Sequence, residues 1–210
     1  MRSLVYSLLL APCLVSAQAK YQVWVGGKKA GTATLLQKVL ADGSKSVQLA
    51  LDLKGSTVEA KLRAESTYDA KGKAIRKFQE TLVPVQKLRR TVVVTFDAKG
   101  ANATIELNGK RTVKHVPLPE TADRADVSEF WFLRDKPKPG QVVKAYNFSI
   151  ETLSWSLVAT SYVGLVDAMI GGKKVKAHKT QSENGVALID DAGMPLRLEL
   201  SNGSLERIWP

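Results

Sequence analysis

The 210-residue chain has one cysteine, Cys13, and two histidines, His115 and His178. A single cysteine makes no intrachain disulfide and no Cys-rich metal site, so the fold must be held by its core. The histidines stand alone, without a His-x-His or His-Glu-x-x-His spacing, and two ligands so far apart make a poor metal centre. Nothing matches G-x-G-x-x-G, the phosphate-cradling G-x-x-x-x-G-K-[ST] or the nucleophile turn G-x-S-x-G. No apolar run reaches the 18 residues of a membrane-spanning helix. Like charges never run to five, which excludes a nucleic-acid arm.

Positive charge is what the chain has in excess, with 31 Lys and Arg against 20 Asp and Glu, a net +11. The cations come in pairs such as Lys28-Lys29, Arg89-Arg90, Lys110-Arg111 and Lys173-Lys174. Spread in this way they solvate outward faces and turns, and they favour an acidic partner such as lipid headgroups or envelope polymer.

The N-terminus reads as an export signal. Arg2 is the positive region, Leu4 to Ala11 the apolar region, and Val15-Ser16-Ala17 a small-residue cleavage site. Pro12 before Cys13 is a poor fit to a lipoprotein box. The expected division is 1–17 signal and 18–210 one β-rich domain, exported to the periplasm or beyond. Removing Arg2 lowers the charge to +10.

Alternation sets the fold class. Between Ser56 and Tyr68, Val58, Ala60, Leu62, Ala64 and Tyr68 alternate with Thr57, Glu59, Lys61, Arg63, Glu65 and Thr67. Successive strand side chains point to opposite faces, so this segment lays apolar residues inward and charges outward. The same unit recurs, punctuated by Gly26-Gly27, Asp42-Gly43, Asn108-Gly109, Gly171-Gly172 and Asn184-Gly185. Leu88 to Phe96 is apolar on both faces and is expected near the sheet centre. One helix is expected over Thr121 to Leu133, with Asp123 as its cap. The strands sit too close in sequence for crossover helices, so the sheet is antiparallel. The whole is an all-β chain with one short helix, a single curved sheet or half-barrel of about a dozen strands.

The early Trp24 to Thr32 stretch, the Pro137 to Ile150 segment and the ending through Lys176-Ala177-His178 and Leu188 to Arg197 resemble an exported bacterial β-sheet family of unknown function. That family is similar in shape to the LolA/LolB-type lipoprotein carriers. The resemblance implies an open half-barrel with a helix in its mouth, an acyl-chain cavity, and no catalytic residues.

Aromatics supply the functional expectation. Phe130, Trp131, Phe132 and Leu133 would gate a concave apolar face that Trp24, Phe148 and Trp155 would line. The leading reading is a non-enzymatic protein, without metal or cofactor, that binds a lipid or another anionic or amphipathic envelope component. The alternatives are an interaction module using a sheet edge and a glycan hydrolase with dispersed carboxylates. Asp190-Asp191 reads as a turn.

Overall fold

The computed structural model describes the backbone over 13–55, 59–120, 131 and 135–210. Fourteen strands form one sheet. They are β1 (Cys13–Val25), β2 (Lys28–Leu40), β3 (Lys45–Lys54), β4 (Glu59–Tyr68), β5 (Ala74–Val83), β6 (Leu88–Phe96) and β7 (Gly100–Leu107). Then come β8 (Lys110–Pro117), β9 (Val142–Ser149), β10 (Ser154–Ile170), β11 (Lys173–Ser182), β12 (Gly185–Ile189), β13 (Pro195–Leu200) and β14 (Gly203–Ile208). Every described pairing is antiparallel, and the order runs β8-β7-β6-β5-β4-β3-β2-β1-β14-β13-β12-β11-β10-β9. Neighbours in space are neighbours in sequence except at one join, where β1 pairs with β14 from Lys20 opposite Ile208 to Val25 opposite Gly203. β8 and β9 end the sheet and do not pair with each other, so it is not a closed barrel.

The turn chemistry places the hairpins where the sequence does. Gly26 and Gly27 have φ of 55° and 74°, and Gly171 and Gly172 have 53° and 80°. Two consecutive positive φ values are what a type I′ turn requires. Asp97 shows the second device: its Oδ1 accepts the N–H of Lys99 at 2.7 Å and of Gly100 at 3.1 Å. Those bonds, led by the one from Lys99, hold its carboxyl below the ordinary range.

Register carries one apolar side across the sheet. Ala19, Leu35, Leu49, Ala64, Gln79, Val92 and Ile105 form one cross-strand row. On the other half, Val23, Leu205, Leu198, Ala187, Thr180 and Tyr162 continue the same side. Val143 and Ala145 lie on this side of β9, and Phe148 on the opposite one. Phe148 nevertheless packs on Val92, Val94, Ala101 and Ala103 from the inner side of β6 and β7. Arg90 donates to the Ile150 carbonyl at 3.0 Å, and Lys77 to that of Phe148 at 3.5 Å. The outer side of the β9–β10 end therefore rests on the inner side of the β6–β8 end. The sheet rolls past closure and overlaps itself.

A second device sits in β10. Tyr162 is opposite Thr180 but Gly164 is opposite Lys179, so Val163 is one residue too many. Such a bulge switches the buried side of the strand. Before it, Val158 and Tyr162 face the inner side. After it, Ile170 joins Ala177 and Leu196 in a separate cluster on the other side. Trp209 covers that cluster and donates its indole N–H to the Ile170 carbonyl at 2.7 Å.

One expectation changes in detail. β6 lies third from an end of the sheet rather than near its centre. Both Val92 and Val94 are fully buried there because the β9–β10 hairpin covers them. β1 begins at Cys13, ahead of the expected cleavage point, with Ala17 opposite Gln37. Cleavage after Ala17 would leave all six pairings to β14 in place. The expected helix over Thr121 to Leu133 falls outside the described residues except for Trp131, which is helical, as is Asp135.

Candidate functional site

Small side chains on the inner side of β9 to β12 leave a hollow. Ala145, Thr160, Thr180, Ser182 and Ala187 cannot fill the space that larger residues fill at Leu35 or Val92. The register fixes their arrangement. Val143 is opposite Thr160 and Ala145 opposite Val158. Thr160 is opposite Ser182, and Thr180 lies between Tyr162 and Ala187. Leu198 and Leu200 of β13 continue the two rows.

Trp131 roofs this floor. It is 7% exposed and packs with Val143, Tyr162 and Ile189. The cavity beneath has a volume of about 340 Å³ and runs from Asn147 to Leu200. That is the small end of the range for sites that take small molecules. Val143, Val158, Ile189 and Leu198 make its walls apolar, and Asn147, Thr160, Thr180 and Ser182 supply its polar groups. No Asp, Glu, Lys, Arg or His is among the described lining residues.

A polar chain stands beside the roof. The Tyr162 hydroxyl lies 2.8 Å from His178 Nδ1, and His178 Nε2 lies 3.0 Å from Asp191 Oδ1. A carboxylate only accepts, so in the neutral imidazole Nε2 carries the proton and Nδ1 accepts from the phenol. Asp190, next in the turn, takes the N–H of Met194 at 2.8 Å through Oδ1 and Arg207 at 2.9 Å through Oδ2. The turn so fixed holds Pro195, whose carbonyl accepts from the buried Tyr21 hydroxyl at 2.8 Å. Burial raises the Tyr21 phenol well above its ordinary value, Arg207 lowers it, and Asp190 raises it.

The expected site residues divide among different places. Trp131 roofs the cavity, while Phe130, Phe132 and Leu133 lie outside the described residues. Phe148 and Trp155 sit in the overlap, where their rings are 5.1 Å apart and each is 5.7 Å from Phe96. Trp24 is adjacent in β1 to Val23 and so points to the outer side. There it borders an open groove with Gly26-Gly27 and Glu199 to Ser204, and Lys29 Nζ lies 5.5 Å from its ring. The hydroxyl floor was missed. Thr160, Thr180 and Ser182 look like ordinary strand residues until the bulge at Val163 and the β11 register put them side by side. His115 Nδ1 lies 2.9 Å from Asn102 Oδ1, and His115 is not among the residues lining the cavity. No group of three or more His, Cys, Asp or Glu among the described residues could hold a metal ion. No described helix is long and apolar enough to cross a membrane.

Fold and site together define an all-β protein built on one rolled antiparallel sheet with a roofed hollow on its inner side. No family model matches the chain, and no curated protein does. Among solved structures it is similar to a β-barrel-like protein of the domain of unknown function DUF1849 from Brucella abortus. The two share 13% identity over 93% of this chain and 97% of that one, with a TM-score of 0.49. It is also similar to a DUF1089 family protein from Pseudomonas aeruginosa, at 14% identity over 93% and 95% of the two chains and a TM-score of 0.43.

Proposed function

We propose that this is an exported, non-enzymatic protein that holds a hydrophobic or amphipathic cell-envelope molecule beneath Trp131. The observation that carries the reading is the cavity of about 340 Å³, roofed by a buried indole and walled by Val143, Val158, Ile189 and Leu198. Apolar walls with a few convergent polar groups are the usual chemistry of a small-molecule site. The net charge, +11 for the whole chain and +10 without the leader, steers the protein toward an anionic surface, where such a molecule would be taken up or released. Similarity in shape to the LolA/LolB-type carriers belongs to the same reading, as does the leader ending at Ala17. Native mass spectrometry on protein purified from a membrane-containing extract tests it. The expected result is a non-covalent adduct of lipid-like mass, lost when Ala145→Phe or Ala187→Phe fills the hollow. An adduct that survives both substitutions, or none at all, removes the proposal.

A further inference from the structure

We infer that the part of the ligand buried in this cavity is uncharged and carries a hydroxyl-, ester- or amide-type group that meets the floor of Thr160, Thr180 and Ser182. This rests on the binding reading above and narrows it to a ligand class.

Charge is the first argument. The described lining residues include neither a cation nor an anion, although the chain carries 31 Lys and Arg. His178, bonded to Tyr162 beside the roof, has both ring nitrogens engaged, one by that phenol and one by Asp191. A carboxylate or phosphate drawn under Trp131 would lose its water and gain no counter-charge from the described lining residues, which costs far more than hydroxyls return. The lysines and arginines of the outer side remain in solvent, where they attract anions but do not neutralise one inside.

Placement of the polar groups is the second. Thr160 and Ser182 are direct cross-strand partners, and Thr180 lies on the same side of β11 two residues away. Directly opposed strand residues stand about 4.5–5.5 Å apart at Cβ, so the three hydroxyls form one patch. Thr180 is only 7% exposed. Asn147 adds an amide from β9. Hydroxyls and amides donate and accept, matching alcohols, esters and amides alike. Apolar walls flank the patch: Val143, Ala145 and Val158 on one side, Ala187 and Leu198 on the other. A purely hydrocarbon ligand would leave the patch without water and without a partner. An uncharged amphiphile satisfies both halves.

The full chain is titrated with Nile red, an uncharged fluorophore, which is then displaced by monododecanoylglycerol, by dodecanoate or by dodecane in 0.5 M NaCl. The salt suppresses attraction to the basic exterior. The expected order has the glyceride displacing the dye at least tenfold more tightly than dodecanoate or dodecane. Thr180→Val with Ser182→Ala should weaken the glyceride about tenfold and tighten dodecane, because the hydroxyls that a hydrocarbon leaves unpartnered are gone. If dodecanoate or dodecane matches the glyceride in the wild-type protein, the inference fails while the binding reading stands. The inference also fails if the double substitution leaves the glyceride unaffected. If Nile red itself does not bind, both fall together.

Discussion

The Tyr162 hydroxyl lies 2.8 Å from His178 Nδ1, tying β10 to β11 beside Trp131. Asp191 completes the chain from a side chain that is 95% exposed. The two ends of this chain therefore differ in worth. His178→Phe removes a hydrogen-bond partner of a phenol in an 8%-exposed residue and should cost about 1–3 kcal/mol. Asp191→Ala should cost about 0–1 kcal/mol, as exposed ion pairs do. Urea denaturation of the two variants gives the comparison, and equal losses would contradict it.

Phe148 is expected to matter for stability and not for the cavity. Its ring fills the overlap between the two ends of the sheet, 3% exposed and against Val92, Val94, Ala101 and Ala103. Phe148→Ala should cost about 3–5 kcal/mol. Amide exchange should quicken in Leu88 to Phe96 and Gly100 to Leu107. Dye affinity per folded molecule should hold. A large loss of affinity with little loss of stability would move Phe148 back into the binding site.

The alkaline limb of the stability curve should belong to Tyr21. Its buried phenol holds its proton above the ordinary value, so the native chain stays protonated after the unfolded chain has released. Stability from this group is fully present below the unfolded value of about 10 and falls as pH rises toward the folded value. Tyr21→Phe should flatten that limb, at the expense of the hydrogen bond to Pro195. Urea midpoints between pH 8 and 11 for both proteins are the measurement.

On the acid side the sign reverses. Asp42 is held low chiefly by the Ser44 hydroxyl, and Asp97 chiefly by the Lys99 amide. Their turns gain stability above the unfolded carboxylate value of about 3.9 and lose it as pH falls through the folded values. Asp97→Ala should therefore weaken the chain at neutral pH and make its stability less steep between pH 5 and 2. A variant as steep as the parent would show that the acid limb originates elsewhere.

Deleting Val163 should be far worse than deleting a loop residue. Without the extra residue, the segment after the bulge would turn Val166, Ala168 and Ile170 to the wrong side of the sheet. The expected outcome is loss of the cluster around Ile170, Ala177 and Leu196, read as exposure of Trp209 by fluorescence quenching.

Local chemistry was readable from the chain and distant contact was not. Asn108-Gly109, Gly26-Gly27 and Gly171-Gly172 placed their hairpins because a type I′ turn leaves its residues few alternatives. β5 and β6 fall on Ala74–Val83 and Leu88–Phe96 as the alternation places them. The two apolar faces of Leu88 to Phe96 suggested a central strand, because nothing local shows that a hairpin more than fifty residues later covers one of them. Along β9, alternation alone would bury every second residue in one row. In the folded chain Val142 is exposed, and burial passes from Val143 and Ala145 to Phe148. That crossover comes from the sheet's roll. For the site, Trp131 stood out as a bulky aromatic, whereas the hydroxyl floor depends on a bulge and a cross-strand register that no single segment encodes.

The join between β1 and β14 sets a condition on how this molecule is made. Lys20 meets Ile208, so the middle of the sheet is completed by β14, the last of its strands in chain order. Two meanders, β1 to β8 and β9 to β14, can each zip from hairpin to hairpin, but the seam between them closes only after β14 arrives. Contacts across so long a separation slow folding. A chain cut before Gly203 would hold two unfinished borders where the native molecule has its centre.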